Sequence, residues 1–373
     1  MAEPSPHLVH LFPTFGVGDV QLRTARLIDA LGTRCRHTIV ALDRCSDARA
    51  LIRTNLDVGV IGPPPGPGRS LELRRLLKLL EPDLLLACGR SGAFDCAPGL
   101  LRRSAPLILL TEARGEGSSR TLLGPLVRRL LRPQAIVTSS ERLWAGLQAA
   151  GGGDATRVEL IPHGVAVEPR PAGRRIPGLE RGPGEVAIGA LIPPEGRHLL
   201  GQMLQAFREA PNHEVAHLVL FGGGPERSVL AHEAERLEVA ERVLFPGPIE
   251  DPATVFPELD LFALAPGREP HALLTLEAMA AGLPLIGIGS PELRERLAPA
   301  NREFLVEPGQ LPALTARLDA LLRSTQLRRQ LGRANRDRAR DFPFDAMVGA
   351  FEVLIDRLLH QPASQAAVPD EAG

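Results

Sequence analysis

"REPHALLTLEAMAAGLPLIG" (268–287) places two glutamates, Glu269 and Glu277, on either side of a turn into an apolar helix. Upstream, "LDLFAL" has the look of a buried strand that Pro266 and Gly267 bring to an end. Downstream, "LPLIGIG" resumes as a second strand. Glu277 has "LLTL" before it and "AMAAGLPLI" after it. A carboxylate inside so apolar a run needs a partner, because an unpaired buried charge is costly. The plain alternative, a solvated helix position, fits those flanks poorly. Glutamates on both sides of the turn could accept hydrogen bonds from hydroxyls at the two ends of a sugar nucleotide.

The same strand–turn–helix order runs outward in both directions. "HLVHLF", "HTIVAL", "DLLLAC", "PLILLT", "QAIVTS" and "VELIP" are short apolar runs. Between them "DVQLRTARLIDALG", "SLELRRLLKLLEP" and "SERLWAGLQAAGG" carry apolar residues three or four apart. This predicts α/β structure with parallel sheets buried on both faces. "EPRPAGRRIPGLERGPGE" (168–185) has little to bury and is expected to be a linker. The alternation then returns in "VAIGAL", "HLVLFGGG", "RVLFPG" and "EFLV". The expected organisation is a domain over 1–170, a second over 171–342, a closing helix over 343–360 and a flexible tail over 361–373.

Composition narrows the function classes. With 373 residues, two cores are more reasonable than one. Hydrophobic and charged contents of 44% and 23% are those of a soluble globular chain. The net charge of −1 excludes a global field for nucleic acid. The first 170 residues are net basic and the remainder net acidic. Cys35, Cys45, Cys88 and Cys96 form no CxxC pair and no zinc spacing with histidine, and are expected to be small reduced thiols. There is no signal-peptide pattern and no run long enough to span a bilayer.

Ligands of open parallel sheets sit beyond the carboxyl ends of the strands, near helix N-termini. Besides the opening stretch, two such turns stand out. "FPTFGVGDV" presents Gly16 and Gly18 between a strand and a helix. It lacks the third glycine of a dinucleotide fingerprint, and a tight turn explains it equally well. "LVLFGGGPERSVL" presents Gly222, Gly223 and Gly224 before Pro225, either for close ligand approach or for the turn itself.

Together, the two glutamates with "AMAAGLPLIG", "FGGGPERSVL", "VLFPG" and "VELIPHGV" resemble the family 4 (group 1) retaining glycosyltransferases. The resemblance extends over nearly the whole chain. It implies the GT-B fold, two Rossmann-like domains with parallel sheets facing across a cleft. The first would be the acceptor domain, the second the nucleotide-sugar domain, with the last helix crossing back to the first. It implies transfer of a sugar from a nucleotide diphosphate sugar, as co-substrate, to a glycan or lipid-linked acceptor. No metal and no other cofactor is expected, no nucleic acid is a partner, and the place is the cytoplasm, with a peripheral contact at the inner membrane face left open. By the same resemblance Glu277 binds the ribose hydroxyls and Glu269 faces the donor sugar. His271, Ala272 and Leu273 meet the diphosphate at the helix start. Gly16 and Gly18 approach the phosphates, and Gly222 to Gly224 line the wall.

The chain departs from the family pattern at the start of the second domain, where "GALIPPEGRH" puts Ala190 and Glu195 at the places of an arginine and a lysine. One lost contact to a departing diphosphate costs on the order of 2–4 kcal/mol. Arg197, with His198 or Arg268, is the nearest substitute, and Arg197 is taken as the catalytic cation. His271 and Ala272 stand where Phe and Gly are usual, and His163 replaces the asparagine of "PNG". The rival expectation is a catalytically weakened GT-B protein that binds a nucleotide or glycan or partners an active transferase. A third is another sugar-nucleotide reaction on the same fold. "SSRTLLGPLVRRLLRPQ" (118–134), with Arg120, Arg128, Arg129 and Arg132, is either a surface helix interrupted at Gly124 and Pro125 or a contact for anionic lipid. Asp19 and Glu112 are expected to be caps or solvated groups, and His7, His10, His37 and His217 to be structural.

Overall fold

The computed structural model describes residues 5–16, 18–52, 56–64, 66, 68–88, 100, 104–111, 131–150, 157–167, 175–192, 197–247, 249, 252–264 and 272–360. The described residues divide into two compact units. The first falls within 1–112, 119–162 and 347–373, the second within His163–Ala346.

The first unit holds a seven-stranded sheet, every neighbouring pair parallel. Its strands are β1 (His7–Phe12), β2 (Arg36–Ala41), β3 (Gly59–Ile61), β4 (Leu84–Cys88), β5 (Leu107–Thr111), β6 (Ala135–Thr138) and β7 (Arg157–Leu160). They lie in the order β3-β2-β1-β4-β5-β6-β7. Strands β1, β4, β5 and β6 are buried at every residue, which is why they stand in the sequence as continuous apolar runs. The edge strand β3 escapes that signature: it is three residues long and Gly59 is exposed. Helices α1 (Asp19–Leu31), α2 (Arg69–Leu80) and α3 (Glu141–Ala150) occupy the three periodic stretches. Ser140 caps α3, its Oγ accepting from Leu143 N at 3.2 Å.

The second unit repeats the plan with six strands in the order β10-β9-β8-β11-β12-β13, again all parallel. These are β8 (Val186–Leu191), β9 (Ala216–Phe221), β10 (Val243–Gly247), β11 (Leu261–Leu264), β12 (Leu285–Ile288) and β13 (Leu305–Val306). Its helices include α4 (Arg197–Glu209), α5 (Pro225–Arg236), α6 (Pro252–Val255), α7 (Ala272–Ala280), α8 (Pro291–Arg296), α9 (Leu311–Arg323) and α10 (Thr325–Ala339). The last helix, α11 (Phe344–Leu359), belongs to the first unit from Met347 onward. There Phe351 is fully buried and Arg357 pairs with Glu159 at 2.8 Å.

One expectation needs correction. Of the segment 168–185, expected to be a linker, residues 168–174 lie outside the described residues; the rest is not simply a linker, since Ile176 is 5% exposed and packs in the apolar cluster of the second unit. Glu185, at its end, accepts from the Gly182 amide at 2.7 Å and from Arg242 Nη1 at 2.7 Å, and lies 3.1 Å from His217 Nε2. The boundary between the units falls at Pro162–His163, ahead of this segment.

Candidate functional site

In each sheet the chain starts in the middle and builds outward on both sides, so there is one place where the strand order reverses. In the second unit it lies between β8 and β11. The carboxyl ends of these strands, Leu191 and Leu264, border the crevice where ligands of doubly wound sheets sit. The segments that follow them, 193–196 and 265–271, lie outside the described residues, and with them Glu195, Arg268, Glu269 and His271.

Helix α7 begins at Ala272, beyond the end of β11. All nine of its residues are buried. A surface helix buries one stripe; α7 is covered all round because it lies between the sheet and α10. The approach to α10 is close. A Cβ on Gly332 would stand 2.0 Å from the carbonyl oxygen of Gly282, just after α7. Asn335 and Asn301 fasten the turn that follows. Asn335 Nδ2 donates to Leu283 O at 2.8 Å and to Asn301 Oδ1 at 2.6 Å. Asn301 pairs with both the N–H and the C=O of Leu285, at 2.9 and 2.6 Å.

Glu277 sits in the second turn of this enclosed helix with 2% of its surface exposed, and the residue has an interaction partner. Ala272 and Leu273, 4% and 1% exposed, begin the first turn. A helix start of this kind favours an anion, and a carboxylate one turn further in suits hydroxyl donors.

The glycines divide into two kinds. Gly222 has φ +134° and its Cβ would stand 3.0 Å from Ile192 Cβ, so backbone and neighbours demand glycine there. Gly224, with φ +81°, caps α5 in a conformation other residues avoid. Gly223 is exposed and meets nothing within 4 Å. Two of the three glycines are therefore explained by the turn. In the first unit, Gly18 caps α1 in extended conformation, where a Cβ would meet only the end of Gln21. Gly16 would make ordinary contacts with Thr14 Oγ1 and Cys45 Sγ at 3.5 and 3.6 Å. Neither glycine is required by the local backbone.

Ala190 lies on β8, in register with Leu220 of β9 and Ala263 of β11, and is fully buried in the apolar cluster. Arg197 opens α4. Among the described residues no group of three His, Cys, Asp or Glu converges as a metal site. Of the stretch 118–134, residues 118–130 lie outside the described residues, as does Glu112.

Residues 186–338 match the family model described as glycosyl transferases group 1. The match is to part of the chain, within the second unit. The matched segment runs from β8 to α10 and contains Gly222 to Gly224 and Glu277. Among curated proteins, the chain is 29% identical over 153 residues to N-acetyl-alpha-D-glucosaminyl L-malate synthase of Bacillus anthracis, covering 41% of this chain and 40% of that protein. It is 29% identical over 282 residues to a GDP-mannose-dependent phosphatidylinositol monomannoside mannosyltransferase of Mycobacterium tuberculosis, covering 66% and 68%. The chain spans 40%, 30% and 57% of the first three curated relatives it matches. Among solved structures, HepE of Anabaena with UDP and glucose gives a TM-score of 0.74 at 16% identity, over 94% of this chain and 100% of that one. At that identity the likeness is one of fold, and the fold is GT-B.

Sequence reading passed over two residues. Arg23 is 1% exposed on α1, its guanidinium 5.8 Å from the centre of the Phe351 ring. The signal was a charge in the apolar register of Leu27 and Leu31. Asn301 gave no signal, since asparagine in a turn is ordinary.

Proposed function

We propose that the chain transfers a sugar from a nucleotide diphosphate sugar to a glycan or lipid-linked acceptor, with retention of anomeric configuration. The carrying observation is the carboxylate of Glu277, 2% exposed on a helix that starts beyond β11, beside the reversal of strand order. In this reading Glu277 accepts from the ribose hydroxyls, and the amides around His271, Ala272 and Leu273 meet the diphosphate. Glu269 faces the donor sugar and Arg197 supplies positive charge to the leaving group. Gly16, Gly18 and Gly223 allow close backbone approach to a ligand at their own sheet edges. The enzyme works in the cytoplasm, with a peripheral contact at the inner membrane face. UDP is the first nucleotide to try, because HepE was solved with UDP and glucose.

The test separates two roles. Glu277→Ala is expected to weaken nucleotide binding by roughly 1.5–3 kcal/mol in calorimetry, as a charged hydrogen-bond acceptor is lost. Glu269→Gln is expected to lower single-turnover transfer more than nucleotide affinity, because contacts that strengthen in the transition state set the rate. Parallel losses in both quantities for both variants would defeat this division.

A second reading has one observation in its favour: Ala190 is packed in the core and brings no cation to the end of β8. On that reading the chain binds a nucleotide or glycan, or partners an active transferase. Tight nucleotide binding without transfer or donor hydrolysis is its signature.

A further inference from the structure

Helix α2 has an outer face the fold does not use. Its inner face is anchored by Leu73 and Leu77, 0% and 7% exposed, while the Leu80 carbonyl lies 3.0 Å from His7 Nδ1. At 100° per residue the opposite face carries Leu71, Arg74, Arg75, Lys78 and Leu79, spaced i, i+3, i+4, i+7 and i+8. Leu71 is 53% exposed and Leu79 is 81% exposed, and the three basic residues are exposed with them. Arg75 is bridged to Glu72, whereas Arg74 and Lys78 make no ion pair among the described residues. Single exposed leucines on a surface are ordinary. Two on one face, with three cations between them, are a combination that neither solubility nor the core asks for.

Charge and apolarity together narrow the partner. Nucleic acid would answer the cations and leave the leucines in water. An anionic bilayer surface answers both: cations lie at headgroup level and leucines reach the acyl boundary. We infer that the Leu71–Leu79 face of α2 is a docking surface for anionic lipid. The inference rests on the peripheral membrane contact proposed above and gives it a place distinct from 118–134. No helix among the described residues is long and apolar enough to cross a membrane.

The experiment is co-sedimentation of the full chain with vesicles of equimolar phosphatidylcholine and phosphatidylglycerol, and with phosphatidylcholine alone. Three variants are compared: Arg74→Gln/Lys78→Gln, Leu71→Ser/Leu79→Ser, and Arg128→Gln/Arg129→Gln. Wild type is expected to pellet with the anionic vesicles only, and less as salt rises. The charge variant is expected to bind about 25-fold more weakly, about fivefold per cation removed. The leucine variant is expected to bind at least tenfold more weakly, with an unchanged melting temperature because both leucines are exposed. Failure of wild type to pellet with anionic vesicles would overturn the membrane contact altogether. Binding that both α2 variants retain, or that only the Arg128/Arg129 variant loses, would overturn the α2 assignment and leave membrane contact standing. A dimer in sedimentation velocity that the leucine variant converts to monomer would assign the face to a second copy instead.

Discussion

After β1 of the first unit the chain turns through Gly16 and Gly18, neither of which its surroundings require. After β9 of the second unit it turns through Gly222 and Gly224, both of which the backbone requires. The two units share a strand order, yet the family match lies wholly in the second. The second unit also holds the enclosed helix α7, the Asn301–Asn335 lock and the buried Glu277. In the proposed function the second unit holds the constant part of the donor and the first serves the acceptor, and a scaffold whose loops differ is enough for the latter.

The largest effect should come from breaking the tight half. Gly332→Ala puts a Cβ 2.0 Å from the Gly282 carbonyl oxygen, a backbone atom that cannot step aside alone. α10 must move away from α7, at about 3 kcal/mol by the measure of overpacked cores. Denaturant unfolding should show the loss, and nucleotide affinity should fall with it as α7 shifts. A Gly332→Ala protein as stable as wild type would mean that α7 is not held as closely as the comparison requires.

The units should also part company in acid. In the first, His10 and His37 are buried with their rings 3.1 Å apart between Nε2 and Nδ1, beside His7. Burial, and then the neighbouring His7, lower His37 from 6.5 to about 4, and burial takes His10 well below its ordinary value. The folded unit therefore stays neutral where the unfolded chain takes up protons, so stability falls as pH drops from 6.5 towards 4. The loss is on the order of 2 kcal/mol near the foot of that window. Unit-resolved hydrogen exchange should show β1 and β2 weakening first. His10→Leu/His37→Leu, which replaces both partners by apolar groups, should flatten the dependence. Protection of β1 and β2 that holds steady down to pH 4.5 in wild type would remove the contrast.

In the second unit the matching group is a carboxylate. The Arg242 hydrogen bond, then the Gly182 amide and His217, hold Glu185 at about 2 instead of 4.5. A depressed carboxylate stabilises above its unfolded value, so this contribution is complete above pH 4.5 and is lost as pH falls towards 2. Glu185→Gln should cost about 1 kcal/mol at neutral pH and reduce the acid sensitivity of β8 and β9 below pH 4.5. An unchanged acid branch in that variant would show that Glu185 does not carry it.

Sequence made the fold plain and the site only partly so, for a physical reason. Strands with buried positions are written as short apolar runs, so twelve of the thirteen described strands stand out; β3, three residues long at a sheet edge with none buried, does not. Glu277 was legible because a charge among leucines and alanines is out of place. Asn301 and Asn335 were not, because what makes them matter is a hydrogen bond across 34 residues. Ile176 was hidden by the prolines and arginines around it. Local pattern records burial; it does not record which distant group a polar side chain will meet.

The smallest effect on stability is expected at Gly18, and it sharpens the comparison most. Gly18→Ala keeps an extended conformation open to any residue and meets only the movable end of Gln21. The cost in stability should be under about 0.5 kcal/mol, as for a surface substitution clear of special features. Gly222→Ala, by contrast, forces a residue with a side chain to φ +134° against Ile192, and should cost several times more. If glycine at 18 is kept for a ligand, the stable Gly18→Ala variant should still lose transfer or ligand affinity, since the methyl group occupies the approach to the backbone. Gly223→Ala, also free of local strain, is the matching probe in the second unit. Melting temperature and single-turnover transfer, measured on all three variants, place each glycine with the fold or with the ligand. A Gly18→Ala protein with wild-type stability, affinity and turnover would leave the first unit's turn with no ligand to explain it.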